Sequence, residues 1–239
     1  MKLRPSLHNI PIHNYIWAIY SDAPFILASI KAVSPAIPIY DMTSPYQGVA
    51  VQYCILYFNS LNGKPEKRYF MAKPGFDERR LFIESFLGHT IEKGNIIIYS
   101  ATELNYLVEL AQWYPEYSEE LENRIKRVKI VSKIFNVEKE SYPFQKYQFT
   151  LRELLTEFHS KQLQKYKRLT VTSDLVASYR YEKMGKVPPT EQMETKWAIT
   201  EYCFAEAESL KHILDSINDH LKKKAIHHSA IGKNNQVEV

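Results

Sequence analysis

Glycine and cysteine are scarce in this sequence, and several common functional motifs are absent from it. The 239 residues include 7 glycines and 2 cysteines. There is no Walker A loop, no Rossmann glycine fingerprint and no Gly-x-Ser-x-Gly motif, so we expect no nucleotide cofactor. Two cysteines argue against a disulfide scaffold. Because both the His-Glu-x-x-His and the Cys-x-x-Cys motifs are missing, we expect no zinc site.

Long apolar runs are missing as well. No segment approaches the roughly 18 apolar residues of a membrane helix. Polar residues and prolines interrupt the N-terminal segment, where a signal peptide would need an apolar core. Cys54 and Cys203 fall within a predicted strand and a predicted helix, and free cysteines suit a reducing compartment. We therefore expect a cytoplasmic protein without a membrane partner.

Several apolar segments predict the strands of one sheet. Residues 25–30 (FILASI) and 48–58 (GVAVQYCILYF) are rich in β-branched and aromatic residues. Asn62-Gly63 is a turn signal, which makes residues 67–72 (KRYFMA) an antiparallel neighbour of the second strand. Residues 95–100 (NIIIYS) form an apolar run bounded by turn residues, as expected for a strand buried on both faces. We predict that this strand and FILASI are neighbours in the centre of a mixed sheet.

Helical patterns follow the predicted strands, which places the chain in the α/β class. A capping box, Thr150 to Glu153, predicts the start of one helix, and an apolar stripe from Met193 to Leu221 predicts that the longest helix packs on the core. The predicted helices cover residues 78–87, 102–114, 119–128, 150–166, 174–184 and 191–223. We expect an N-terminal entry segment at residues 1–20, one domain at 21–223 and a polar, disordered tail at 224–239.

Positive charge is concentrated in the central segment. Residues 124–183 hold 14 Lys and Arg against 6 Asp and Glu, whereas the whole chain has a formal net charge of only +4. Such a segment is typical either of a surface that binds a polyanion or of an ordinary solvated face. If it binds nucleic acid, the expected contacts are Lys126, Arg127, Lys165, Lys167 and Arg168.

Three short segments carry a resemblance to a known family. They are Pro-Ala-Ile-Pro at 35–38, Ser-Pro-Tyr-Gln at 44–47 and Gln52-Tyr53 within a strand. In this respect the chain resembles a bacterial domain-of-unknown-function family placed among the DnaQ-like 3'-5' exonucleases. The resemblance covers about residues 23–214 and implies a ribonuclease H-like fold, a mixed β-sheet flanked by helices.

The resemblance also implies where a catalytic site would lie. DnaQ-like enzymes hydrolyse phosphodiesters with two divalent metal ions held by four carboxylates. The resemblance places Ser29 and Lys31 where the family has the two carboxylates of its first strand. Glu103 reaches the second acidic position only if one residue is deleted. Tyr202 and Glu206 keep the spacing of the last motif, with Glu in place of Asp. We expect Lys31 to take the place of a metal ion or to form an ion pair with Glu206.

The loss of two carboxylates predicts an exonuclease fold without catalytic activity and without a bound metal. Such a protein would bind nucleic acid or a protein partner. Two alternatives remain open. One is an active 3'-5' exonuclease that uses Mg²⁺ or Mn²⁺ and displaced ligands such as Asp41, Glu103, Glu206 and Glu208. The other is a vestigial structural protein without a ligand.

Overall fold

A five-stranded mixed sheet lies at the centre of the fold. The computed structural model describes residues 24–38, 40–91, 93–135, 137–139, 142–147, 149–158 and 181–234. The sheet has the order β3-β2-β1-β4-β5. Its strands are β1 (Phe25–Val33), β2 (Val49–Phe58), β3 (Glu66–Met71), β4 (Ile96–Ile98) and β5 (Val128–Ile130). A separate hairpin, which was not predicted, consists of β6 (Val137–Lys139) and β7 (Tyr142–Tyr147).

Strand directions confirm the predicted mixed sheet. β1 and β2 are antiparallel, as are β2 and β3, whereas β1, β4 and β5 run parallel to one another. Ile26 of FILASI pairs with Ile96 of NIIIYS, so these two segments are neighbours as predicted. Gly94, in the turn before β4, has φ +113°, and a Cβ there would lie 1.7 Å from the carbonyl oxygen of Pro24. Only glycine fits this close approach without displacing the backbone just before β1.

Within the described residues, five helices flank the sheet. They are α1 (Arg79–His89), α2 (Ala101–Trp113), α3 (Ser118–Ile125), α4 (Leu151–Phe158) and α5 (Pro189–Asn234), with short 3-10 turns at Pro115–Tyr117 and Val131–Phe135. All ten residues of β2 are buried, because helices cover both faces of the sheet. The side chains of α1 and α2 pack on one face, and those of α4 and α5 pack on the other. No helix in the described ranges is long and apolar enough to cross a bilayer.

The boundaries of two helices differ from the prediction. α3 ends at Ile125, because β5 begins at Val128 inside the span predicted as helical. α5 continues past the predicted end near residue 223 to Asn234, through a lysine- and alanine-containing stretch with good helix propensity.

The buried part of α5 is also shorter than its apolar stripe predicts. Met193 and Trp197 are 61% and 55% exposed, and continuous burial starts only at Ile199. The periodicity identified the apolar face but not the point at which the helix reaches the sheet. Three segments lie outside the described residues. They are the predicted entry segment 1–20, residues 235–239, and the segment 159–180, in which one predicted helix ends and another begins.

Candidate functional site

Ser29, Lys31, Tyr202 and Glu206 form a cluster, here called the remnant site, where β1 continues past the end of β4. β1 pairs with β4 only at Ile26 and Leu27, so the second half of β1 borders the start of α2 instead. Alternation along β1 directs Ser29 and Lys31 to the face that α5 covers. Two residues of α5 at i and i+4, Tyr202 and Glu206, reach the same place. The structure therefore brings together four of the residues that the resemblance singled out.

A lysine–glutamate ion pair occupies the centre of this site. The Lys31 ammonium contacts Oε2 of Glu206, and Ser29 Oγ donates a hydrogen bond of 2.8 Å to the same oxygen. The Lys31 and Glu206 side chains are only 13% and 12% exposed. Lys31 Nζ also lies 5.1 Å from the centre of the Tyr202 ring, within range of a cation–π interaction. The ion pair that the sequence suggested is confirmed.

Glu103 links the end of β4 to β1 through hydrogen bonds. Its Oε1 accepts from the backbone N–H of Ile30 at 3.0 Å, and its Oε2 accepts from those of Tyr99 and Ser100 at 3.0 and 2.8 Å. Glu103 thus supplies an acceptor for the N–H of Ile30, because β4 is too short to provide one. With Ser100, Glu103 forms the capping box that starts α2. Burial raises the pKa of the Glu103 carboxyl to about 7, although Lys31 and the backbone donors act to lower it.

Two buried thiols lie beside the ion pair. Cys203 Sγ donates to the carbonyl oxygen of Ser29 at 3.3 Å, and Cys54 Sγ donates to that of Thr200 at 3.6 Å. Ser29 and Cys54 are direct partners in the β1–β2 pairing, so both thiols belong to one layer between the sheet and α5. Burial raises the pKa of Cys54 well above its usual value. Cys54 therefore acts as a packing residue rather than as a nucleophile.

A cavity of about 570 Å³ opens next to these residues. Its walls come from β1, from Val51 and Gln52 of β2, from the start of α2, from the start of α4, and from α5, with Tyr181 closing one side. Gln52 Nε2 donates to Thr200 Oγ1 at 3.2 Å. Sequence reasoning did not assign Gln52 a role in the site, although a lone polar residue in the apolar strand VAVQYCILYF was a visible signal.

The residues present do not fit a pair of divalent metal ions. Hard cations need several anionic oxygens, and within the described ranges no group of three or more His, Cys, Asp or Glu side chains could hold a metal. The alternative metal ligands, Asp41, Glu103, Glu206 and Glu208, do not form a metal site either. Glu208 forms an ion pair with Lys67 at 2.8 Å. Asp41 lies in a loop, and its backbone carbonyl oxygen accepts a hydrogen bond from Arg79. Both oxygens of Glu103 are already engaged by backbone N–H groups.

Two of the residues expected to bind nucleic acid lie elsewhere in the described structure. Lys126 and Arg127 directly precede β5. Because β1, β4 and β5 are parallel, these two residues lie at the end of the strands opposite the remnant site. Lys126 is exposed. Arg127 donates to the carbonyl oxygens of Gly94 and Thr90 at 2.7 and 3.0 Å, so it supports the loop before β4. The remaining expected contacts, Lys165, Lys167 and Arg168, lie outside the described residues.

Comparison with known proteins identifies a family. Residues 31–150 match the model of a family described as a domain of unknown function (DUF2779). No curated protein and no solved structure matches the chain. The matched region spans half of the chain, from Lys31 to the start of α4, and includes Glu103 but not Glu206. The predicted membership in a domain-of-unknown-function family is therefore confirmed: the chain belongs to the DUF2779 family.

Proposed function

We propose that this protein is a DnaQ-like, ribonuclease H-like domain that has lost metal-dependent hydrolysis and acts by binding nucleic acid or a protein partner. The mixed sheet supports this proposal, because β1 lies between an antiparallel hairpin and two parallel strands, with helices on both faces. That arrangement agrees with the architecture that the sequence resemblance implies.

The contact between Lys31 and Glu206 carries the proposal. In a two-metal nuclease the carboxylates of the first strand and of the last helix share divalent cations. Here an ammonium group from the first strand already neutralises the carboxylate of the last helix. A divalent cation placed there would be repelled by Lys31 and would find a neutral hydroxyl, that of Ser29, in place of an anionic ligand.

The purified protein is expected to show no hydrolysis of DNA or RNA above background in Mg²⁺ or Mn²⁺. The measurement is a time course on end-labelled single-stranded and double-stranded substrates over a range of metal concentrations. Cleavage that depends on metal and disappears in Glu206→Gln would contradict the proposal, and it would favour an active exonuclease with displaced ligands.

Restoring the two carboxylates is expected to create affinity for metal. The double variant Ser29→Asp, Lys31→Glu would add two carboxylates to those of Glu103 and Glu206, and the four would repel one another until a divalent cation binds. Mn²⁺ at 100 times its Kd should stabilise this variant by about 2.7 kcal/mol, which raises Tm by about 5 to 10 °C.

The control for this experiment is Lys67→Glu, which reverses an exposed lysine that also pairs with α5. Mn²⁺ should leave the Tm of this control and of the unaltered protein unchanged. A double variant whose Tm is equally insensitive to Mn²⁺ would show that these side chains do not converge on a cation site.

Binding of nucleic acid is expected to be independent of base sequence and to weaken steeply with salt. The central basic segment would neutralise phosphates and release counterions, so log K should fall linearly with log salt concentration. Lys126→Glu and reversal of Lys165, Lys167 and Arg168 should weaken binding, whereas Lys73→Glu, in an exposed lysine outside this segment, should not. Absence of binding at low salt would leave a protein partner or a purely structural role.

A further inference from the structure

Large apolar side chains are exposed at one end of the sheet. β1 ends there at Val33 and β2 begins there at Val49, and these two residues pair. β3 also ends there, because Met71 pairs with Gln52 near the start of β2. The exposed side chains, here called the apolar end, belong to the loop between β1 and β2, to the turn after β3 and to the first turns of α5: Ile37, Met42, Tyr46, Phe76, Met193 and Trp197.

Contacts beneath the surface hold the segments of the apolar end together. Met184, which precedes α5, packs in one buried cluster with Tyr40 of the β1–β2 loop and with Ala72 of the turn after β3. Ile199 of α5 belongs to the same cluster as Val33, whereas later residues of α5 pack against the start of β1. The turns of α5 that precede Ile199 therefore extend past the end of β1, towards the same side of the molecule as the two loops.

The loop between β1 and β2 is strained and is held in place by hydrogen bonds. Met42 and Tyr46 both have φ 60°, in the left-handed region that residues other than glycine seldom adopt. The Tyr46 N–H donates to the carbonyl oxygen of Pro35 at 2.9 Å, and Arg79 donates to that of Asp41 at 3.0 Å. Strain of this kind is found at binding surfaces, where the surroundings fix the backbone. A loop that is fixed in advance also loses little conformational entropy when it binds.

The area of the apolar end matches what a stable dimer needs. Its six side chains are between 55% and 77% exposed. Because a fully buried aromatic side chain contributes about 150 to 250 Å², the three aromatic residues offer about 400 Å², and the three other side chains offer a similar area. The total is close to the roughly 800 Å² that each partner buries in a standard interface. An apolar group of this size is typical of an interaction surface.

Charges around the apolar end balance one another. Residues 34–48, 73–80 and 182–196 together hold six Lys and Arg and six Asp and Glu. Asp77 pairs with Arg79 at 2.6 Å, and Lys73 Nζ lies 3.9 Å from Glu78 Oε1. A third ion pair links α1 to the 3-10 turn after α2. A strongly charged partner would find no excess of the opposite sign here, whereas two copies of this surface can meet without like-charge repulsion.

We propose that the apolar end is the interface of a homodimer, in which the same surface of two copies packs together about a twofold axis. Such an interface requires a self-complementary surface, and apolar side chains framed by charges that are already paired meet that requirement. Five of the six side chains are aromatic or methionine, which are enriched in interfaces. The inference does not depend on the proposed function, because Lys126 and Arg127 lie at the opposite end of the strands.

Sedimentation equilibrium of the full chain over a range of concentrations tests the proposal. The average mass should rise with concentration towards twice the mass of the monomer, with a Kd that is micromolar or tighter, as interfaces of this size give. Hydrogen exchange above and below this Kd should show protection in the β1–β2 loop and in the turn after β3. A monomer at every concentration up to about 100 times a micromolar Kd overturns the proposal and assigns the surface to a different partner.

Two variants introduce a charge into the interface from different segments. Phe76→Glu and Trp197→Glu should each weaken dimerisation about thirtyfold or more, as the loss of an aromatic hot-spot residue does. Ile91→Glu is the matched control, because Ile91 is 69% exposed but lies before β4, at the other end of the sheet. Circular dichroism shows whether each variant folds, and if one does not fold, the other decides. A Kd that is unchanged in a folded Phe76→Glu or Trp197→Glu, or that rises as much in Ile91→Glu, overturns the assignment.

Discussion

Replacing Lys31 with Met is expected to lower the free energy of unfolding by about 3 kcal/mol, since removal of one partner leaves a buried charge uncompensated. Glu206 would then lie close to Glu103 with no cation between them, in a site where both ion-pair partners are about 87% buried. The pKa of Glu103 should rise further as well, because Lys31 is the main charge that lowers it. Urea denaturation, with the midpoint and slope fitted separately, measures the change.

Two further variants distinguish a lost ion pair from lost packing. Lys31→Met combined with Glu206→Met removes both charges and should cost less than Lys31→Met alone, because hydrophobic replacement of both partners is often neutral. Lys67→Met breaks the exposed pair with Glu208 on the same helix and should cost less than about 1 kcal/mol. If Lys31→Met costs no more than Lys67→Met, the pair makes no structural contribution.

Stability of the unaltered protein is expected to fall as pH rises from about 5 to 8, through the ionisation of Glu103. Its folded pKa of about 7 exceeds the ordinary value of 4.5. Between these values the folded state holds a proton that the unfolded state has lost, so each increase in pH favours unfolding. Below 4.5 both states are protonated and the loss is absent; above 7 it is complete. A shift of this size corresponds to about 3 kcal/mol.

Glu103→Gln tests this linkage, because an amide does not titrate. The variant should be less stable at low pH, since its NH₂ group faces backbone donors, but its stability should no longer fall between pH 5 and 8. Glu153→Gln is the control. Glu153 forms the same capping box with Thr150 at the start of α4, in an exposed position. If the pH dependence of Glu103→Gln equals that of the unaltered protein, another group is responsible.

Local patterns in the sequence predicted most of the sheet. The β-branched and aromatic runs predicted β1 and β2. The bounded apolar run predicted β4 and its position beside β1. The capping box of α4 forms with the predicted hydrogen bonds between Thr150 and Glu153. These features succeeded because each depends on residues close together in the chain, or on burial that alternation reveals directly.

Long-range features were less accessible. The role of Glu103 depends on an N–H of Ile30 that β4 is too short to pair, and strand length at that point is not visible in the sequence. The hydrogen bond of Gln52 Nε2 depends on Thr200, 148 residues away. Exposure of Met193 and Trp197 depends on where α5 meets the sheet, because a helical stripe has no marker for the turn at which contact begins.

The packing of α5 on β1 also constrains the order of events during synthesis. β1 and β2 are made early, but α4 and α5, which cover their second face, begin only at residues 151 and 189. At elongation rates of roughly 5 to 20 residues per second, the apolar side chains of that face remain uncovered for many seconds. Contacts as distant in sequence as Ser29 with Glu206 also slow folding once the chain is complete. The nascent sheet therefore exposes apolar surface until α5 leaves the ribosome.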